Sequence, residues 1–335
     1  MAMLTGLDPV ALGALASRPA LPADAETLAS RLADAGYATM GFHEGGYVAS
    51  AFGFDNGFAD YEALPRVSLV GDELPRVLEW IQDHGDERYF LFLHTYAAHA
   101  PYGGYETYRE ESPERGLPES EAVLALDQVL RREKALRTPS TLFDLMLYNQ
   151  LCEERMARAM SAPFIFPSDY PETPAFEADM GVIRRNYAKR IELIDRAIGE
   201  IRAQLERDGL WRDTLLVLTS DHGEAFFEHG LHWHGFIPYD EVLRVPLVLS
   251  YPRLFEQVAP GVRDALAWHL DLYPTILRLA GLEVEADRTG QDLTAVLEGP
   301  GVPCAPGATG MPESACRSCR AEHSASARRA PLRLL

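Results

Sequence analysis

The run VLTSDHGEAFFEHGLHWHGFIPYDEVLRVPLVL, residues 217–249, concentrates the groups that could do chemistry. An apolar stretch ends in Thr219-Ser220 and delivers Asp221 and His222, followed by Gly223, Glu224, His229, His232 and His234. Aspartate offers a hard anionic oxygen and neutral imidazole a nitrogen, so Asp221 and His222 are candidate ligands of a divalent cation. Neighbours in a strand point to opposite sides, so both reach one ion only if the strand has already opened into a turn, which Gly223 permits. Glu224 reads as a carboxylate at a helix start, without a ligand role. His234, flanked by Trp233 and Gly235, could as an imidazolium hold an anionic ester oxygen or protonate a leaving group. The alternative is a solvated loop histidine. His229 and His232 read as structural.

A second cluster, FLFLHTYAAHAPY at residues 90–102, places His94 and His99 after another apolar run. Open α/β sheets bind ligands beyond the carboxyl ends of their strands. Two strands ending at one edge would bring His99 close to Asp221, which makes His99 the candidate substrate contact. His94, nearer the strand body, is read as either a ligand or a satisfied core histidine.

These groups need a scaffold, and the pattern is alternating helix and strand. A helix is expected from Ala25 to Ala35, stopped by Gly36, then a strand from Ala38 to Phe42. Val77 to Ile81 belongs to a helix ending before His84-Gly85. Tyr89 to Leu93 is nearly all apolar, as a strand buried on both faces of a parallel sheet should be. Tyr187, Ile191, Ile194, Ile198, Ile201 and Leu205 form one stripe of a helix from about Ile183 to Asp208. Thr214 to Thr219 is the next strand. Asp271 to Ala280 is a helix with Asp271 as N-cap, Pro274 in its first turn and Gly281 after its end. The expected fold is α/β, a mainly parallel central sheet with helices on both faces. Residues 103–180 interrupt the rhythm with helical stretches Glu119–Arg137 and Thr141–Met160 and a proline-rich segment. They are read as a lid-like insertion that shapes substrate choice.

The composition, 47% hydrophobic and 24% charged, is that of a globular protein. A net charge of −19 argues against a nucleic-acid binder, so an anionic substrate would need a local metal or cationic pocket. No run is apolar enough to span a bilayer, and no signal peptide opens the chain, so the compartment is not legible. Four cysteines give no disulfide framework. Cys304, Cys316, Cys319 and His323 have a zinc-like spacing, but lie in a Gly, Pro, Ser, Ala and Arg tail, residues 299–335, read as disordered. Residues 1–298 are read as the folded domain.

Taken together, Asp221-His222-Gly223-Glu224, His99-Ala100-Pro101-Tyr102 and Arg244-Val245-Pro246-Leu247 resemble the sulfatase family of the alkaline phosphatase superfamily. The likeness extends over Tyr187 to Ser220, Asp271 to Gly281 and LTGLDP at residues 4–9. It implies an alkaline phosphatase-like fold and hydrolysis of a small-molecule or glycan sulfate ester. Asp221 and His222 would then bind one divalent ion, calcium first, with magnesium or manganese as alternatives. By the same resemblance His99 contacts the sulfate, and His234 stands where many sulfatases carry a lysine. A histidine there also occurs in relatives that process phosphate esters, so a phosphate- or phosphonate-ester hydrolase or a phosphoryl-group transferase is the alternative. The family's nucleophile, a Cys or Ser converted to formylglycine within C/S-x-P-S-R, has no match here. Leu4-Thr5-Gly6-Leu7 resembles the segment just after it, so the nucleophile and the paired aspartates of the first strand are expected upstream of Met1. A non-catalytic fragment that binds anions is the third reading.

Overall fold

Short-range chemistry sets most element boundaries. Thr27 and Ser30 form a reciprocal capping box that starts a helix, and Gly36, at φ 82°, takes the left-handed position after its end. The computed structural model describes residues 1–13, 20–99, 102, 174–226, 228–229, 232–234, 239–256, 261–298 and 333–334. Its helices include α1 (Ala2–Thr5), α2 (Leu28–Asp34), α3 (Leu74–Asp83), α4 (Pro174–Arg207), α5 (Asp240–Leu243) and α6 (Leu272–Leu279). The strands are β1 (Ala38–His43), β2 (Asp60–Ala63), β3 (Tyr89–His94), β4 (Thr214–Thr219), β5 (Ala225–Phe226), β6 (His232–Trp233), β7 (Leu247–Ser250) and β8 (Arg333–Leu334). Two compact units result: Met1–Thr95 with Glu200–Leu218 and Leu247–Leu335, and Tyr96–Gly199 with Thr219–Pro246.

In the first unit the described strands form a sheet in the order β2-β1-β3-β8-β4-β7, and every pair with a defined register is parallel. The mostly parallel α/β architecture is the one expected. β1 and β3 align Ala38 with Tyr89 through His43 with His94. Both β3 and β4 are buried over their first three residues and half-buried over their last three. The strands therefore open toward their carboxyl ends, rather than being buried throughout as the apolar run Tyr89 to Leu93 suggested. A core of Leu28, Leu32, Tyr37, Phe90, Leu215, Tyr273 and Leu277 packs the helices onto the sheet. Glu44, 2% exposed, accepts from the Leu69 N–H (2.8 Å) and the Thr95 hydroxyl (3.0 Å), which satisfies a carboxylate that burial would otherwise penalise.

Several boundaries differ from expectation. α4 begins at Pro174, so the last residues of the expected insertion belong to this helix. Its stripe is buried at Ile201 (3% exposed) and Leu205 (0%), whereas Ile191 is 45% exposed; sequence spacing gives the stripe but not how much of it finds a partner. Asp271 does precede α6, but its carboxylate does not cap that helix; it accepts from the Trp268 N–H (2.7 Å) and the Gln291 N–H (2.7 Å). Arg333–Leu334, from the segment read as a disordered tail, form β8, with Leu334 in the core. The stretches Glu119–Arg137 and Thr141–Met160, and the tail cysteines, lie outside the described residues. Among the described residues no helix is long and apolar enough to cross a membrane.

Candidate active site

The second unit carries His99, His222, His229, His232 and His234. β4 ends at Thr219, and the chain then bends at Asp221. The Ser220 hydroxyl donates to the His222 carbonyl (2.6 Å), and the Asp221 Oδ1 accepts from the His222 N–H (3.0 Å). Gly223 donates its N–H to the Val242 carbonyl at 2.7 Å. A Cβ on Gly223 would lie 2.1 Å from the Glu241 carbonyl oxygen, so this position needs glycine for close backbone approach.

β5 and β6 then form an antiparallel hairpin, pairing Ala225 with Trp233 and Phe226 with His232. The same register continued outward sets Glu224 opposite His234, and the His234 Nδ1 lies 3.1 Å from the Glu224 Oε1. Glu224 is 7% exposed and lies in no helix, which corrects its reading as a helix-start carboxylate. The hairpin is held against α4 by the Arg184 guanidinium, which donates to the Phe226 carbonyl (3.2 Å), and by Tyr187 packed on Phe226 (5.1 Å between rings). Burial, and then the Glu224 charge, push the Tyr187 phenol upward.

His99 arrives from the other cluster. The Tyr102 N–H donates to the His99 carbonyl at 3.3 Å, closing a turn. Tyr102 adopts φ 34°, unusual for a residue with a side chain, and its ring is buried against Tyr187 and Phe226. Packing of that ring offsets the backbone strain.

The outcome is a cluster of imidazoles. His222 and His234 stack at 3.8 Å, and His99 meets His234 edge-on at 4.9 Å and His222 at 6.2 Å between centroids. One ring nitrogen from each of His99, His222 and His234 lies within 4.8 Å of the others, and all three residues are half-buried. The His222 Nδ1 sits 3.0 Å from the Gly223 carbonyl oxygen. A carbonyl and a carboxylate both require a proton on the Nδ1 they face, which leaves Nε2 as the nitrogen of His222 and His234 whose proton can come and go.

Three of the four sequence candidates thus converge. Asp221 stands beside them: its Oδ2 is 3.7 Å from the His222 Nε2, but its side chain is 53% exposed and it is not one of the mutually close set. His94 ends β3 in the first unit, opposite His43. His229 pairs with Glu241 (3.4 Å) and stacks on Tyr239, which is a structural role. The side chain of His232 lies outside the described residues. Glu224, Tyr187 and Tyr102 were not singled out from sequence as parts of a site. Reading 225–233 as a hairpin would have exposed Glu224.

Comparison with known proteins gives the family and the fold. The family model described as Sulfatase matches residues 1–282. N-acetylglucosamine-6-O-sulfatase of Bacteroides thetaiotaomicron is 36% identical over 117 residues, which are 35% of this chain and 20% of that protein. Steryl-sulfatase of Mus musculus is 32% identical over 170 residues, 43% of this chain and 26% of the relative. The matched stretches therefore span about a fifth to a quarter of those relatives' lengths. A solved structure in complex with its substrate D-glucosamine-2-N,6-O-disulfate superposes with a TM-score of 0.62 at 20% identity, covering 91% of this chain and 71% of that one. The phosphonate monoester hydrolase of Agrobacterium radiobacter gives 0.62 at 18% identity, covering 90% and 67%. These neighbours share the mostly parallel α/β fold of the alkaline phosphatase type. With a family match over residues 1–282, the chain belongs to the sulfatase family.

Proposed function

We infer that the protein recognises sulfate esters and that His99, His222 and His234 receive the ester's anionic group. The observation that carries this reading is the convergence of the three imidazoles, from two separate sequence clusters, in a chain with net charge −19. An acidic protein concentrates few sulfate esters without such a local site. Protonated imidazole Nε2 groups donate to sulfate oxygens, and the Glu224 carboxylate steadies the His234 ring in the orientation that presents its Nε2. His234 is then placed to pass its proton to the departing alcohol oxygen. The attacking group is a separate matter, since these 335 residues contain no C/S-x-P-S-R run. Relatives that act on sulfated sugars, and a neighbour bound to a disulfated glucosamine, support a glycan sulfate as the ester.

Calcium is the ion the family likeness implies, and it takes six to eight oxygen donors. The converging donors here are three nitrogens, and the adjacent carboxylate, Asp221, is largely solvent-exposed. The described residues do not fit calcium.

The test is equilibrium binding of p-nitrophenyl sulfate and p-nitrophenyl phosphate to the full chain, with p-nitrophenol release followed in parallel. Binding of the sulfate ester is expected, weakened at least about tenfold by His99→Ala or His234→Ala, because each loses a charge-assisted hydrogen bond. Release is expected not to exceed that of an Asp221→Ala, His222→Ala double variant. A folded chain that binds no sulfate ester, or binds it equally in all variants, would overturn the reading. Tighter binding of the phosphate ester would favour a phosphate- or phosphonate-ester hydrolase instead.

A further inference from the structure

We propose that the slot between β3 and β4 accepts an extended apolar strand of about six residues, running parallel to both and taking the place of β8. The inference concerns the first unit alone and is independent of the ester reading. β8 joins the two halves of the sheet, since the strand order is β2-β1-β3-β8-β4-β7. It is two residues long, whereas β3 and β4 have six each. Its register sets Leu334 opposite Phe90 on one side and Leu215 on the other, with Arg333 opposite Thr214, all parallel. Continued in that register, the ladder runs on along Leu91–His94 and Leu216–Thr219. Among the described residues no strand lies beside those positions on that side.

Burial records the consequence. β1 has β2 and β3 alongside to its carboxyl end, and it is buried from Thr39 through His43. β3 and β4 are buried over their first three residues, the half that β8 flanks, and only half-buried over their last three. Position at the carboxyl edge does not explain the difference, because β1 ends level with β3, His43 aligned with His94.

The slot also fixes what fits it. β3 and β4 stand two strand spacings apart, about 9.5 Å, which admits one strand between them. Two facing strand edges are satisfied together by a single extended backbone. Phe92 and Val217, which line the slot, pack against the core, and a strand inside a parallel sheet is apolar on both faces. β8 meets that requirement in part. Leu334 belongs to the core, but Arg333 is only 5% exposed and its guanidinium donates to the Gly85 carbonyl. Burying a guanidinium carries a desolvation cost even when it is hydrogen-bonded. A longer strand with an apolar residue in that place therefore holds the slot better than β8 does. In such strand addition the backbone ladder supplies affinity and alternate side chains supply specificity.

The experiment adds a fluorescein-labelled peptide of roughly six alternating valines and isoleucines, capped at both ends and carrying a short polyethylene glycol for solubility, to the full chain. Anisotropy follows binding, and amide hydrogen exchange locates it. Saturable binding is expected, with exchange over residues 91–94 and 216–219 slowed at least about tenfold and that of Leu334 quickened. The same peptide with a central proline, which removes a ladder N–H, should bind at least about tenfold more weakly. Arg333→Leu makes β8 wholly apolar and should weaken peptide binding about tenfold, whereas Leu334→Asn should strengthen it about tenfold. Far-UV circular dichroism confirms that each variant folds; Arg333→Leu, which removes a buried charge, serves where Leu334→Asn does not. No saturable binding by the wild-type chain, or equal binding of the proline peptide, would overturn the proposal. So would protection that falls on the edge strands, residues 60–63 or 247–250, in place of β3 and β4. Binding left unchanged by Arg333→Leu would show that the peptide does not compete with β8, and would overturn it as well.

Discussion

Gly223→Ala perturbs the segment that carries His222 with a single methyl group. The added Cβ would sit 2.1 Å from the Glu241 carbonyl oxygen, where real contacts stay beyond 3.0 Å, so the two backbones must separate by roughly 1 Å. That separation strains the Gly223 N–H···O=C Val242 bond, now 2.7 Å long. Overpacking of this kind costs about 1–3 kcal/mol, and the lost hydrogen bond about 1 kcal/mol. The sum, roughly 2–4 kcal/mol, corresponds to an increase of about 30- to 700-fold in local opening at tenfold per 1.4 kcal/mol. Amide hydrogen exchange over residues 219–246 reads it directly. Gly199→Ala, on α4 with nothing within 4 Å of its Cβ, is the control. It should stabilise the helix by about 0.5–1 kcal/mol. Unchanged exchange in Gly223→Ala, or an equal slowing in both variants, would refute the close-approach argument.

Other consequences are separately measurable. His43 is 2% exposed, stacks on Tyr61 at 4.6 Å and accepts the Gly45 N–H on Nδ1 at 3.0 Å. Burial holds its pKa below 6.5, a lowering that the Asp55 charge partly opposes. Its neutral form is favoured in the folded state, so its contribution is complete above pH 6.5 and is lost as pH falls below that value. Urea denaturation between pH 7 and 5 should show a slope steeper than that of His43→Asn by up to about 1.4 kcal/mol per pH unit; equal slopes would contradict this. Leu205→Ala should cost about 2–5 kcal/mol in urea denaturation, against less than about 1 kcal/mol for the exposed Ile191→Ala. The Asn186 side-chain amide is buried and, among the described residues, has no hydrogen-bond partner, so Asn186→Leu should raise the unfolding free energy by about 1–3 kcal/mol. A destabilised Asn186→Leu would show that the amide has a use in the fold.

Elements set by local rules were legible before any coordinates. The strands at Ala38, Tyr89 and Thr214 follow from apolar runs, and the Asp271–Ala280 helix from its proline and glycine punctuation. His99 and His222 were legible as candidates because each follows an apolar run, and His234 because it lies in the same histidine-rich stretch. What escaped were features decided by pairing at a distance. Glu224 meets His234 because a hairpin of two-residue strands sets the register, and such strands are too short to show alternation. Tyr102 is fixed by rings from α4 and β5, which no local pattern couples to it. β8 is two residues long, and composition around it speaks of a tail, so its place between β3 and β4 could not be read from sequence. Asp271 illustrates the converse: its position was correct while its hydrogen bonds went elsewhere.

The central claim is that His99, His222 and His234 act as one centre for the ester's anionic group. Side-chain ¹⁵N–¹H spectra of histidine-labelled protein, recorded while p-nitrophenyl sulfate is added, test it most directly. The account predicts that the imidazole signals of all three residues shift together with one midpoint, while His43 and His84 stay in place. Shifts confined to one of the three, or none, or following separate midpoints, would contradict it.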